Sequence, residues 1–268
     1  MSETKSIFGI DAITAMFESA KAQKRAAFLP YFMIGYPDYE ESIEAIAGMA
    51  VEGVDGFEIG IPFSDPLADG PVNQAAMQVA LDKGITVKKC LEGVRALRAR
   101  DVHQPMLLMG YFNPILAYGV EAFVRDAVEA GADGLIVPDL PPDEAEEVSN
   151  ACAKAGLGMV FFVAPTSNLE RIKLVASKAT GFIYVLTVTG VTGVRREMPA
   201  DLKEFITGLR THTDRPLVLG FGISTPEQAR SMNELMDGFI VGSALVRAGK
   251  DGAEPVRKLA GELRRALD

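Results

Sequence analysis

A glutamate on a short apolar run, with two aspartates in the loop behind it, is the part of this chain best suited to moving protons. In residues 55–61, Phe57, Ile59 and Ile61 alternate with Glu58 and Gly60, and a period of two marks a β-strand. Glu58 therefore faces away from Phe57 and Ile59. If those two pack outward against helices, its carboxylate points into the centre of the sheet, a costly position for a charge with no task or partner. Asp69 follows eleven residues later, beyond Pro62 and Pro66, which forbid a regular helix or strand between them. A loop of that kind can fold back and set Asp69 opposite Glu58. Two carboxyls in unlike surroundings let one hold a proton while the other stays ionised, which is the arrangement for acid–base chemistry. The plainer alternatives are that Glu58 is a rim residue and that Asp65 and Asp69, standing before Pro and Gly, are turn-formers.

Other residue types narrow the chemistry by where they fall. His103 and His212 stand just before apolar runs, at the end of the strands away from a barrel's site, so a histidine-based metal centre is not expected. The lysines lie outside the apolar runs, against Schiff-base carbon–carbon cleavage by a desolvated amine. Cys90 and Cys152 fall in helical stretches without paired spacing and read as reduced core thiols. Carboxylates and a tyrosine remain. Tyr184, inside an apolar run, either fills a barrel layer or supports the chemistry. Glycines gather near three late apolar runs, Gly190 and Gly193, Gly220 and Gly222, and Gly242 followed by Ser243. Such backbone, with residues 243–248 as a short helix, suits a phosphate, so a phosphorylated substrate is implied.

These groups need a scaffold, and the hydropathy pattern supplies one. An amphipathic helix is predicted over 7–24, expected to close the bottom of the fold, followed by strands over 28–34, 55–61, 106–111, 134–138, 158–163, 182–188, 217–219 and 238–241. Helices are predicted over 39–52, 73–100 with a break at Gly84 and Thr86 as N-cap, 118–130, 143–155, 168–179, 200–211, 226–236 and 253–267. Eight strands alternating with helices, each connection long enough for a right-handed crossover, point to a parallel sheet closed into a single (β/α)8 TIM barrel over 1–268. An open doubly wound sheet is the alternative. The connections after strands two and six are the longest, and residues 187–199, with Gly190 and Gly193, read as a lid.

Composition agrees with a large core. The chain has 268 residues, 48% of them hydrophobic, and 27 Lys and Arg against 36 Asp and Glu, a formal net charge of −9. That balance, with no basic stretch, disfavours a nucleic-acid partner. No uninterrupted apolar run reaches membrane-spanning length, and no basic-then-apolar leader pattern opens the chain. A soluble, cytoplasmic protein is expected.

The fourteen residues from Glu58 to Pro71, Glu-Ile-Gly-Ile-Pro-Phe-Ser-Asp-Pro-Leu-Ala-Asp-Gly-Pro, closely resemble the signature of the tryptophan synthase alpha subunit family. The resemblance continues through residues 29–37, 111–114, 137–142, 190–193, 220–224 and 242–243. It implies a barrel that cleaves indole-3-glycerol phosphate to indole and glyceraldehyde 3-phosphate by a retro-aldol reaction, with no cofactor or metal of its own. It assigns proton transfer to Glu58, the indole N–H to Asp69, a supporting role near the substrate hydroxyls to Tyr184, and a hydrogen bond from the closed lid to Asp69 to Thr192. Gly193, Gly222, Gly242 and Ser243 match the phosphate cage, while Tyr31, Met109 and Ile136 would line the indole slot. Asp65, Pro66, Asn113 and Pro141 correspond to positions facing a beta subunit that uses pyridoxal phosphate, in an alpha2beta2 assembly. At Val188 many relatives carry a basic residue, which puts the closed form of the lid in question. A stand-alone lyase and an inactive activator of the beta subunit are the competing readings.

Overall fold

The computed structural model describes residues 7–186, 200–220 and 222–268. The chain opens with α1 (Ile10–Ala22), β1 (Ala27–Met33), α2 (Tyr39–Val51), β2 (Phe57–Gly60), α3 (Pro71–Asp82), α4 (Val87–Arg98) and β3 (Met106–Met109). It continues with α5 (Phe112–Tyr118), α6 (Val120–Ala130), β4 (Gly134–Ile136), α7 (Glu146–Ala155), β5 (Gly158–Val163), α8 (Leu169–Lys178) and β6 (Ile183–Leu186). The last elements are α9 (Ala200–Arg210), β7 (Leu217–Gly220), α10 (Pro226–Ser231), β8 (Gly238–Val241), α11 (Ser243–Ala248) and α12 (Ala253–Arg265). The eight parallel strands run in sequence order around a closed barrel, with β8 returning to pair with β1. The open-sheet alternative is thereby excluded.

Register decides which side chains meet inside. Tyr31 pairs with Glu58, and Glu58 with Leu107, so these three share one face of the sheet. By the same alternation Met109, Ile136, Phe162, Tyr184 and Gly220 point inward. Phe28, Phe57, Ile59, Leu108 and Phe239 point outward beneath the helices, where Phe28 and Phe239 stack at 5.0 Å between centroids. All five are buried. The outward packing that would turn Glu58 inward is therefore met.

Helix α1 closes the bottom of the barrel, as its pattern predicts. Glycines at the inward positions nearest that end make room for it. An added Cβ would stand 2.6 Å from Ile13 Cδ1 at Gly158, 3.2 Å from the same atom at Gly134, and 2.6 Å from Met16 Sδ at Gly56. Contacts that close would force backbone or side chain to move, so the glycines and the plug are one device. Asp133, 1% exposed, fastens the plug: it accepts from Gly9 N at 2.9 Å, from Met106 N at 2.8 Å and from Arg98 Nη2 at 2.6 Å. Ile7 departs from the predicted helical face, preceding α1 with 58% exposure.

Connections differ from the predicted helices at several points. The break at Gly84 is present, and the Thr86 side chain caps α4 by accepting from Lys89 N. The helix after β3 is two: Pro114 sits in the first turn of α5, where a missing N–H costs nothing, and Gly119 at φ 93° separates α5 from α6. α7 begins at Glu146 rather than Asp143, and the helix after β7 ends at Ser231 with a 3-10 turn over Met232–Glu234. Among the described residues no helix is long and apolar enough to cross a membrane.

Candidate active site

The two acids stand at the same mouth of the barrel in unlike surroundings. Glu58, on β2, is 3% exposed, and its carboxyl is pushed up to about 8 by burial first and by the nearby Asp69 charge second. Desolvation penalises the ionised form, and a like charge within reach adds to the penalty. Asp69 is half-buried in the β2–α3 loop, held at both oxygens: Tyr111 Oη donates to Oδ2 at 2.7 Å and Asn73 Nδ2 to Oδ1 at 2.9 Å. Its backbone is fixed as well, with Asp69 N donating to Pro66 O and Gln74 Nε2 to Asp69 O. One acid is thus buried in an apolar wall with its carboxyl raised while the other is oriented by donors, an arrangement suited to acid–base chemistry.

Aromatic side chains surround the pair. Tyr184, 6% exposed, has its phenol raised well above the ordinary range by burial first and then by the neighbouring acidic groups. Its ring packs 4.8 Å from Phe162 and closes over Gly220, where an added Cβ would lie 1.9 Å from Tyr184 Cε1. Tyr31 is raised in the same way, by burial and then by Asp69 and Glu58. Met109 and Ile136 are buried on the inner face in register with Gly60. Tyr31, Met109 and Ile136 thus form an apolar wall beside the acids.

At the β7–β8 side of the mouth, Gly222 takes φ 90° and Gly242 is the N-cap of α11, whose first residue, Ser243, is exposed. Tyr31 bridges this side to the acids: a Cβ at Gly242 would lie 3.4 Å from its Cδ1, and one at Gly60 would lie 2.6 Å from its hydroxyl. Thr192, Gly193, Val188 and the predicted lid over 187–199 lie outside the described residues. On the rim, Asp65 and Asn113 are exposed and Pro66 and Pro141 half-buried. Leu67 at 91% and Leu116 at 53% exposure give that rim an apolar character. Among the described residues no group of three or more His, Cys, Asp or Glu could hold a metal ion, and both cysteines are buried free thiols.

Tyr111 and Asn73 join the site although the sequence alone does not single them out. Tyr111 continues the inward alternation of Leu107 and Met109 by one more step, and Asn73 stands four residues after Asp69, one helical turn away. Both signals are in the sequence, but neither has meaning until the loop carrying Asp69 folds back.

Comparison with known proteins points one way. A family model described as tryptophan synthase alpha chain matches residues 17–265. The tryptophan synthase alpha chain of Roseiflexus sp. (strain RS-1) is 48% identical over 234 residues, 87% of this chain and 90% of that relative. The solved tryptophan synthase subunit alpha from Legionella pneumophila str. Paris superposes with a TM-score of 0.88 at 38% identity, covering 96% of this chain and 98% of that one. A chain of the M. tuberculosis tryptophan synthase crystal structure in its aminoacrylate-bound form gives a TM-score of 0.88 at 35% identity, covering 96% and 99%.

Proposed function

Because the chain belongs to the tryptophan synthase alpha chain family, we propose that Glu58 and Asp69 carry out that family's lyase reaction, the retro-aldol cleavage of indole-3-glycerol phosphate to indole and glyceraldehyde 3-phosphate. The observation that carries this assignment is the buried Glu58 carboxyl, raised to about 8 beside Asp69. At neutral pH Glu58 is protonated in the free enzyme. It delivers its proton to indole C3, which turns the ring into an electron sink, and the resulting carboxylate takes the proton of the hydroxyl on the adjacent side-chain carbon. The carbon–carbon bond then breaks with its electron pair entering the ring, the hydroxyl oxygen becomes the aldehyde oxygen, and Glu58 ends neutral as it began.

Positive charge develops on the ring nitrogen when C3 is protonated. Asp69, oriented by Tyr111 and Asn73, accepts the indole N–H and offsets that charge; donors fixed before the reaction need no reorganisation during it. Tyr31, Met109 and Ile136 hold the indole ring, and Tyr184 supports the substrate hydroxyls. The backbone at Gly222 and Gly242, with Ser243 and, from the resemblance, Gly193, grips the phosphate. These proton transfers draw only on this chain's carboxylates.

The rim around Asp65, Pro66, Leu67, Asn113 and Pro141 is the face we assign to a beta subunit, the pyridoxal-phosphate partner expected from the family. Exposed Leu67 and Leu116 support that reading, since a partner would remove them from water. An indole-release assay of the purified chain, alone and with a beta subunit, tests both statements. Release by the wild type and none by Glu58→Gln is the expected result, and co-elution with the beta subunit on size exclusion is expected for the partner. A wild type that releases no indole under either condition would overturn the activity.

A further inference from the structure

Tyr31 carries a hydroxyl that the wall of an apolar slot does not need. The residue is 3% exposed, and its oxygen is buried with no hydrogen-bond partner. Proteins leave few buried polar atoms in that condition, because the group gives up its water for nothing. The hydroxyl is held there deliberately by its neighbours. Register sets Tyr31 directly beside Glu58 on the adjoining strand, and Gly60, two residues on, leaves the space that the oxygen occupies: a Cβ at that position would be 2.6 Å away.

Resting on the reaction read above, the polar groups of the substrate can be matched to the site one by one. The indole N–H goes to Asp69 and the phosphate to the backbone near Gly242, which leaves two glycerol hydroxyls. The one on the carbon attached to the ring must meet Glu58, since Glu58 takes its proton, and Tyr31 is Glu58's partner across the strands. We propose that the Tyr31 hydroxyl is a further catalytic group, donating a hydrogen bond to the oxygen of that hydroxyl. As the O–H proton passes to Glu58 and the carbon–carbon electrons enter the ring, the oxygen gains negative charge on its way to becoming the aldehyde, and the phenol stabilises it while keeping its own proton. Burial first, and then the Asp69 charge, hold the phenol in its protonated, donating form.

Tyr31→Phe removes only the oxygen and keeps the ring packed. In the variant, kcat/KM for indole-3-glycerol phosphate should fall at least ~10-fold, the loss of one well-aligned donor. The melting temperature of the ligand-free protein should rise, because an unpartnered buried hydroxyl has gone. Affinity for an indole-propyl phosphate, which has the ring and the phosphate but no hydroxyls, should stay within about twofold of wild type, a pattern that a packing defect would not give. Unchanged kcat/KM, or an equal loss of affinity for the hydroxyl-free phosphate, overturns the role of Tyr31. If the wild type turns over and Tyr31→Phe matches it, only this inference falls; a wild type without turnover removes the active-site reading as well.

Discussion

Glu58→Gln offers a test of the site that needs no substrate. Burial and the Asp69 charge raise the Glu58 carboxyl from its ordinary 4.5 to about 8. Below pH 4.5 the folded and unfolded chains both carry that proton, and above about 8 neither does. Between those limits the unfolded chain has lost it while the folded one retains it, so stability falls as pH rises through the window. At about 1.4 kcal/mol per pH unit, the span sets an upper bound of roughly 5 kcal/mol, of which about 3 is already lost at pH 7. Gln fills nearly the same volume and does not titrate. Whatever fixed cost it brings, the stability of Glu58→Gln relative to wild type should climb by several kcal/mol from pH 5 to pH 8, measured as urea midpoints of the ligand-free proteins; other titrating groups are common to both and cancel. Asp69→Asn should narrow the window from its upper end, because it deletes the second of the two causes. Parallel stability curves for Glu58→Gln and wild type across that range would show that Glu58 is not held neutral, and the acid–base assignment would fail with it.

Other perturbations follow from single contacts. Tyr111→Phe deletes the 2.7 Å donor to Asp69 Oδ2 and should cost roughly 10- to 100-fold in kcat/KM, mostly in kcat, since hydrogen bonds to charged groups contribute about 1.5–3 kcal/mol; steady-state indole release reads this, and a wild-type value would remove Tyr111 from the clamp. Gly220→Ala puts a Cβ 1.9 Å from the Tyr184 ring, so the ring must move, with about 1–3 kcal/mol of lost stability and a large loss of activity; wild-type kinetics and an unshifted melting curve would contradict the packing described. Ser243→Asp sets a negative charge beside the N-terminus of α11, where the phosphate is expected, and should raise KM at least ~10-fold with kcat less affected. An unchanged KM would discredit the phosphate assignment.

Much of this was legible in the linear chain. Alternation at Phe57, Ile59 and Ile61 identified β2 and turned Glu58 to the opposite face, because side chains of a strand leave the sheet on alternate sides whatever surrounds them. The eight apolar runs with helices between them gave the parallel α/β sheet for an equally local reason, that a parallel strand cannot return without a crossover, while its closure is decided by the pairing of β8 with β1. The ends of β5 and β8 and the capping of α4 by Thr86 came out as read. The β3–β4 connection did not, since Phe112–Tyr118 begins where Phe112 N donates to Asp139 Oδ1 and ends at the positive φ of Gly119, neither of which is a property of hydropathy.

What the tertiary structure alone decided is how the two acids differ. Nothing in the types Glu and Asp sets them apart; closure of the ring around Glu58 raises its carboxyl, and the return of the Asp69 loop brings Tyr111 and Asn73 to its oxygens, because desolvation and oriented donors depend on neighbours brought from distant parts of the chain. The orphaned Tyr31 hydroxyl belongs to the same category. Its strand follows from the sequence and its place in the slot from the resemblance, but the missing partner is a fact about the space above Gly60, which exists only once β1 and β2 lie side by side.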